Sequence, residues 1–225
     1  FTAATFDFFV VFAVFALADV TWGEQPVEED RNDLDVVIAL DISRSMLAMD
    51  VEPSRLARSL AVTRSVARQL TSGRFGLVVF KGDAVTLLPL TEDTNALEAV
   101  LDGVSPQLVS AAGTDVEQGL RAALDGFPSG TNAHRAVVLF SDGESISGSP
   151  TRAAADARRA GIPVITVIAG TTQGATIPAG DSTVVLDEEG RPVVTRAAVA
   201  ELEEMSKMTG AITATLGDPD VVGAI

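Results

Sequence analysis

The sequence predicts a doubly wound α/β domain: a central, mostly parallel sheet with helices on both faces and one antiparallel edge strand. Three observations lead there. From residue 33 onward, apolar runs rich in Val, Ile, Leu and Phe alternate with helical patterns. Four of the six runs are continuous rather than alternating, as strands covered on both faces are. Loops rich in oxygen-bearing side chains follow the strands, at the sheet edge where open α/β folds bind ligands.

The strands fall at residues 36–40, 75–80, 85–90, 136–140, 164–169 and 211–216. The first helix has Pro53 near its start, where a missing N–H costs nothing. Leu56, Leu60, Thr63, Ala67 and Leu70 mark one face at three- and four-residue spacing, and Gly73 follows its end. Residues 75–90, broken at Lys81-Gly82-Asp83, read as the antiparallel edge hairpin. Further helices span 114–127 and 151–160, the latter stopped by Gly161 and Pro163, and another precedes residue 114. Residues 171–195 interrupt the rhythm with a loop over 171–180. A small hairpin follows, pairing 184–186 with 192–194 around Asp187-Glu188-Glu189-Gly190. A closing helix covers 196–208.

A chain of 225 residues holds one sizeable domain plus appendages. Lys+Arg number 16 against 31 Asp+Glu, a net charge of −15, which argues against nucleic acid and anionic membrane surfaces as partners. The absence of cysteine removes disulfides, zinc–thiolate sites and thiol catalysis. A single histidine, His134, leaves little for histidine-based catalysis.

The first segment differs from the rest. Residues 8–18 form an unbroken apolar run between Asp7 and Asp19, with Trp22 beyond. A signal-peptide core is the rival reading, and Ala16-Leu17-Ala18 resembles a cleavage site, but no positive region precedes it. The preferred reading is a partial transmembrane helix over 1–22, anchored by Trp22 at the interface. The acidic linker 23–34 is unlike a cytoplasmic flank, which places the α/β domain after it outside the cytoplasm.

Chemistry gathers in three loops. The first holds Asp41, Ser43 and Ser45, the second Gly113-Thr114-Asp115, and the third Ser141-Asp142-Gly143-Glu144. Adjacent strand ends bring such loops together. Two carboxylates and three hydroxyls, with no thiol or imidazole, suit a hard cation such as Mg²⁺ that keeps several waters, with Mn²⁺ and Ca²⁺ as alternatives. Gly113 and Gly143 would let the backbone approach closely.

Asp41-x-Ser43-x-Ser45, Thr114 and Asp142 resemble the metal-ion-dependent adhesion site of von Willebrand factor A domains. The resemblance runs over about residues 33–218. Several stretches are similar to a narrower group, the bacterial aerotolerance-associated Bat proteins, BatB-like members above all. These are Ala48-Met49-Asp50-Val51-Glu52-Pro53-Ser54-Arg55-Leu56, residues 76–80, Pro89-Leu90-Thr91 and residues 170–178, with 187–192 similar to the insertion found there.

The resemblance implies an A domain over 35–217 with an insertion at 171–195, anchored in the bacterial inner membrane and facing the periplasm. It implies that Ser43, Ser45 and Thr114 contact the metal most directly, while Asp41 and Asp142 act partly through water. The implied partner is a protein presenting Asp or Glu to the metal, in company with sibling A-domain proteins and a MoxR-type ATPase. It also implies a fragment: no first membrane helix precedes the span over 1–22, and the tail 218–225 leads towards a further helix.

Simpler readings stand beside these. Asp41 could terminate a strand, and Ser43 and Ser45 could cap the next helix. Thr114 with Glu117 forms a capping box on the pattern, and Asp115 suits a helix first turn. Asp50 and Glu144 read as surface or supporting residues; Arg44 and Arg55 could pair with acids or touch a partner. Met205 and Met208 are filler on an amphipathic helix. The leading function is a non-enzymatic binding module. A metal-dependent hydrolase is the rival, yet the chain lacks a Gly-x-Ser-x-Gly elbow, a second acid two residues after Asp41 and a Gly-x-x-x-x-Gly-Lys loop. A scaffold in which the metal only staples loops is the third.

Overall fold

The computed structural model describes residues 34–70, 73–130, 133–145, 147–180 and 183–225. The expected membrane span and the linker up to residue 33 lie outside the described residues. Among the described residues, no helix is long and apolar enough to cross a membrane.

Among these residues a six-stranded sheet forms the centre. Its strands are β1 (Leu34–Asp41), β2 (Gly73–Phe80), β3 (Ala84–Thr91), β4 (His134–Ser141), β5 (Val164–Ile168) and β10 (Thr213–Thr215), and their spatial order is β10-β5-β4-β1-β2-β3. β3 runs antiparallel to β2 and the other neighbours are parallel. Each expected strand is present. β1, β2 and β4 are almost wholly buried, which explains their unbroken Val/Ile/Leu/Phe composition, whereas β3 at the edge is largely half-exposed.

Among the described residues, six α-helices flank the sheet: α1 (Arg55–Gln69), α2 (Thr94–Asp102), α3 (Val116–Asp125), α4 (Pro150–Arg159), α5 (Val199–Thr209) and the short α6 (Val221–Ala224). Alternate residues of the strands feed two separate cores. Val36, Ile38 and Leu40 pack with Leu56, Val62, Leu101 and Val221 on one face. Val37 and Ala39 pack with Val116, Leu120, Ala153, Leu202 and Met205 on the other. The period-two alternation of β1 thus fixes which helices cover which face.

Three local readings need correction. Pro53 lies before the helix rather than in its first turn; Ser54 is the N-cap of α1, accepting from the Ala57 N–H at 3.1 Å. Asp115, not Thr114, caps α3, accepting from the Gln118 N–H at 3.0 Å. The box with Glu117 does not form, because that carboxylate is drawn to Arg121 and to the Ser149 N–H.

The hairpin expected across 184–194 forms, with the Val193 N–H donating to the Val185 carbonyl at 2.9 Å. Its turn is real, with Leu186 bridged to Pro192 and the Asp187 N–H bonded to the Arg191 carbonyl at 2.9 Å. Its outermost residues pair with the stretch before it: β8 (Thr183–Val184) with β7 (Pro178–Gly180), and β9 (Val194–Thr195) with β6 (Ala175–Thr176). The stretch read as loop supplies β6 and β7, strands too short to show periodicity.

Candidate functional site

β1 and β4 are central neighbours, and their register pairs Leu40 with Phe140, so Asp41 and Ser141 leave the sheet side by side. Asp41 and Asp142 are fully buried and Ser43, Ser45 and Thr114 nearly so. Both oxygens of Asp41 hold the loops: Oδ1 accepts from the Ser43 N–H at 2.8 Å and Oδ2 from the Ser141 hydroxyl at 2.8 Å. Ser141 in turn accepts from the Gly143 N–H at 3.0 Å, so one hydroxyl that the sequence reading did not single out ties the first and third loops.

Ser43 Oγ and Ser45 Oγ lie 2.9 Å apart, and the Ser45 hydroxyl favours the ionised form of Asp142. The second loop is drawn in by the β2–β3 turn, where the Asp115 N–H donates to the Lys81 carbonyl at 2.6 Å. Gly113 and Gly143 have φ of 87° and 77°, so both occupy backbone conformations that favour glycine. A Cβ on Gly143 would also sit 2.9 Å from the Ala198 carbonyl oxygen.

The three loops thus meet in a cleft of about 710 Å³ whose walls include Ser43, Ser45, Thr114, Lys81 and Glu144. Hydroxyls face the cleft, and the carboxylates sit behind them. Burial, and then the charge of Asp142, raises the Asp41 carboxyl above its ordinary range, against the Ser43 and Ser141 bonds that favour ionisation. Burial also raises Asp142, opposed by the Ser45 hydroxyl and the Arg55 guanidinium. Two buried acids that repel one another favour an added cation. Among the described residues no three His, Cys, Asp or Glu side chains gather as a metal cage. The donor set is therefore two carboxylates with hydroxyls, oxygen only, which fits a hard divalent ion completed by water.

Arg55 is the residue whose role the sequence left open. Its side chain is fully buried and forks onto both oxygens of Asp50 at 2.8 and 2.9 Å. Its Nη1 donates to Asp142 Oδ2 at 2.9 Å and to Thr195 Oγ1 at 3.1 Å, and Nη2 to the Thr195 carbonyl at 3.2 Å. Asp50 also accepts from the Thr171 N–H and hydroxyl. Glu144 accepts from the Thr195 hydroxyl at 2.5 Å and the Arg196 N–H at 2.9 Å. Asp50 and Glu144 therefore join the insertion to the site rather than facing solvent.

His134 stands at the opposite end of β4 from Ser141, about 23 Å away at ~3.3 Å per residue. Met205 is buried core, as expected of filler.

A doubly wound sheet carrying Asp-x-Ser-x-Ser, Thr and Asp at its C-terminal edge defines an A-type domain, and residues 36–144 match the von Willebrand factor type A domain. The chain belongs to that family. Within it, the chain is similar to BatB from Bacteroides thetaiotaomicron: 34% identity, a TM-score of 0.80, covering 83% of this chain and 92% of that one. An aerotolerance-related membrane protein from Bacteroides fragilis shows the same identity and TM-score, covering 85% of this chain and 94% of that one. A UPF0353 protein of Mycobacterium sp. (strain KMS) is 32% identical over 160 residues, 66% of this chain. The chain spans about half the length, 48%, of that curated relative.

Proposed function

We propose that the cleft is a metal-ion-dependent adhesion site that captures an acidic side chain of a protein partner. The observation that supports this reading most is the layering of the site: three hydroxyls on the cleft wall backed by two fully buried, mutually repelling carboxylates. Ser43, Ser45 and Thr114 would hold the ion directly, with Asp41 and Asp142 orienting hydroxyls and water behind them. A divalent cation there supplies attraction for an incoming carboxylate, which the buried acids alone would repel. Mg²⁺ is the ion we assign, with Mn²⁺ and Ca²⁺ satisfying similar oxygen donors.

We further propose a non-enzymatic role in a membrane-anchored, periplasm-facing assembly with sibling A-domain proteins and a MoxR-type ATPase. Its support is the similarity to BatB and to the aerotolerance-related membrane protein. The distance of His134 from the cleft favours binding over base-assisted hydrolysis.

A thermal scan with Mg²⁺ against chelator tests the metal. Ligand at 100 times Kd stabilises by about 2.7 kcal/mol, which at about 2–4 °C per kcal/mol raises Tm by about 5–11 °C. Thr114→Ala is expected to lose most of this rise and also capture of an immobilised Asp-bearing peptide. An unchanged scan in wild type refutes the adhesion site; a metal effect without any peptide capture leaves only the loop staple.

A further inference from the structure

The metal loops make up only part of the concave surface. Arg44, between the two serines of the first loop, also lines a second cleft of about 580 Å³. One bank of that cleft is Leu47 and Pro106; the other is Ala179 and Val185 of the insertion. The insertion also reaches the first cleft through Ile177 and Val193. Arg44 therefore stands on the divide between the two hollows, with apolar walls leading away from it.

Charge at this divide runs against the rest of the molecule. The chain carries −15 overall, yet Arg44 is exposed and has no acidic partner among the described residues. Among the described residues, Lys81 donates to the Pro106 and Val109 carbonyls, at 3.1 and 2.7 Å, and to no carboxylate. Glu144, the acid on the first cleft's wall, is held aside by the Thr195 hydroxyl and the Arg196 N–H, and the two cations Arg44 and Lys81 outnumber it there. Both hollows therefore look out past a cation not neutralised from within.

We propose that Arg44 and the insertion form a second subsite. Its occupant is an extended partner segment bearing two acidic side chains, one directed to the metal and the other to the Arg44 guanidinium. The apolar flank of that segment lies between Pro106 and Val185. This deepens the adhesion reading and rests on it for the first acid only. A guanidinium recognises a carboxylate by a charge-assisted, paired set of hydrogen bonds. In an extended segment, side chains two residues apart point the same way, about 6.8 Å from one another. An Asp-x-Glu spacing is the natural fit to a metal and an adjacent arginine.

Fluorescence anisotropy with two labelled heptapeptides tests the subsite, one with a single Asp and one identical but for a Glu two residues on. In Mg²⁺ the second acid is expected to tighten binding to the wild type by about threefold to tenfold. In Arg44→Gln the ratio between the peptides is expected to fall to about one, and in Ala179→Glu, which sets a negative charge in the second cleft, likewise. Equal binding of both peptides to the wild type, no binding of either, or a gain that survives Arg44→Gln overturns the proposal. Chelator reports separately on the metal: if the gain from the second acid persists without metal and vanishes in Arg44→Gln, the subsite stands and the adhesion reading falls.

Discussion

Replacing Arg55 by Met should destabilise the domain far more than its count of contacts suggests. Arg55 and Asp142 are both fully buried and 2.9 Å apart, and Asp142 already suffers from burial. Removing one member of a buried pair leaves an uncompensated charge, at a cost of about 3–5 kcal/mol. Asp50 loses the fork that holds it at the same time. For a domain of this size the loss corresponds to about 6–20 °C in Tm. Arg55→Lys keeps a charge but not the planar fork, so it should fall between Met and wild type. The decisive assay is a double-mutant cycle with Asp142→Asn, read by urea unfolding in chelator. Removing both charges should recover a large part of the single-mutant loss, giving a coupling of about 2 kcal/mol or more. A loss below about 1 kcal/mol in Arg55→Met, or no coupling, would refute the reasoning.

Among the described residues, buried Thr63 Oγ1 finds no hydrogen-bond partner; Thr63→Val should stabilise the domain by about 1 kcal/mol, seen as a raised urea midpoint at constant slope. Gly119→Ala should destabilise by about 1–3 kcal/mol in the same assay, because a Cβ there would sit 2.4 Å from the Phe80 ring. Burial opposes ionisation of Asp50, but the Arg55 and Thr171 bonds prevail and bring its carboxyl to about 2. A carboxyl lowered on folding contributes stability above its unfolded value of about 3.9 that is lost as pH falls towards 2. Wild type should therefore lose more stability than Asp50→Asn between pH 4 and pH 2 in chelator.

The strands were legible because burial on both faces demands long apolar runs, and the loops because oxygen donors cluster at strand ends. What escaped has equally physical causes. Arg55 lies on the buried face of α1 with Leu56, Ser59 and Val62, and an arginine on such a face must find an acid. That need was readable, but its partner Asp142 is 87 residues away, and no local pattern points so far. The capping box failed because Arg121 and the Ser149 N–H outcompete the backbone for Glu117. β6 to β9 are two or three residues each, too few for alternation to register. Asp41, Ser43, Ser45, Thr114 and Asp142 converge as the topology predicted, although their use of metal rests on the experiments above.

Asp41 and Ser141 are the last residues of β1 and β4, and the first bonds beyond them continue the sheet: Ile42 N–H to the Phe80 carbonyl and Ala169 N–H to the Ser141 carbonyl, both at 2.9 Å. Amides so placed exchange with deuterium only when the whole domain opens, whereas those of the short insertion strands exchange through local opening. Protection at Ile42 and Ala169 should thus track global stability, with the cleft made of one slow wall and one fast one.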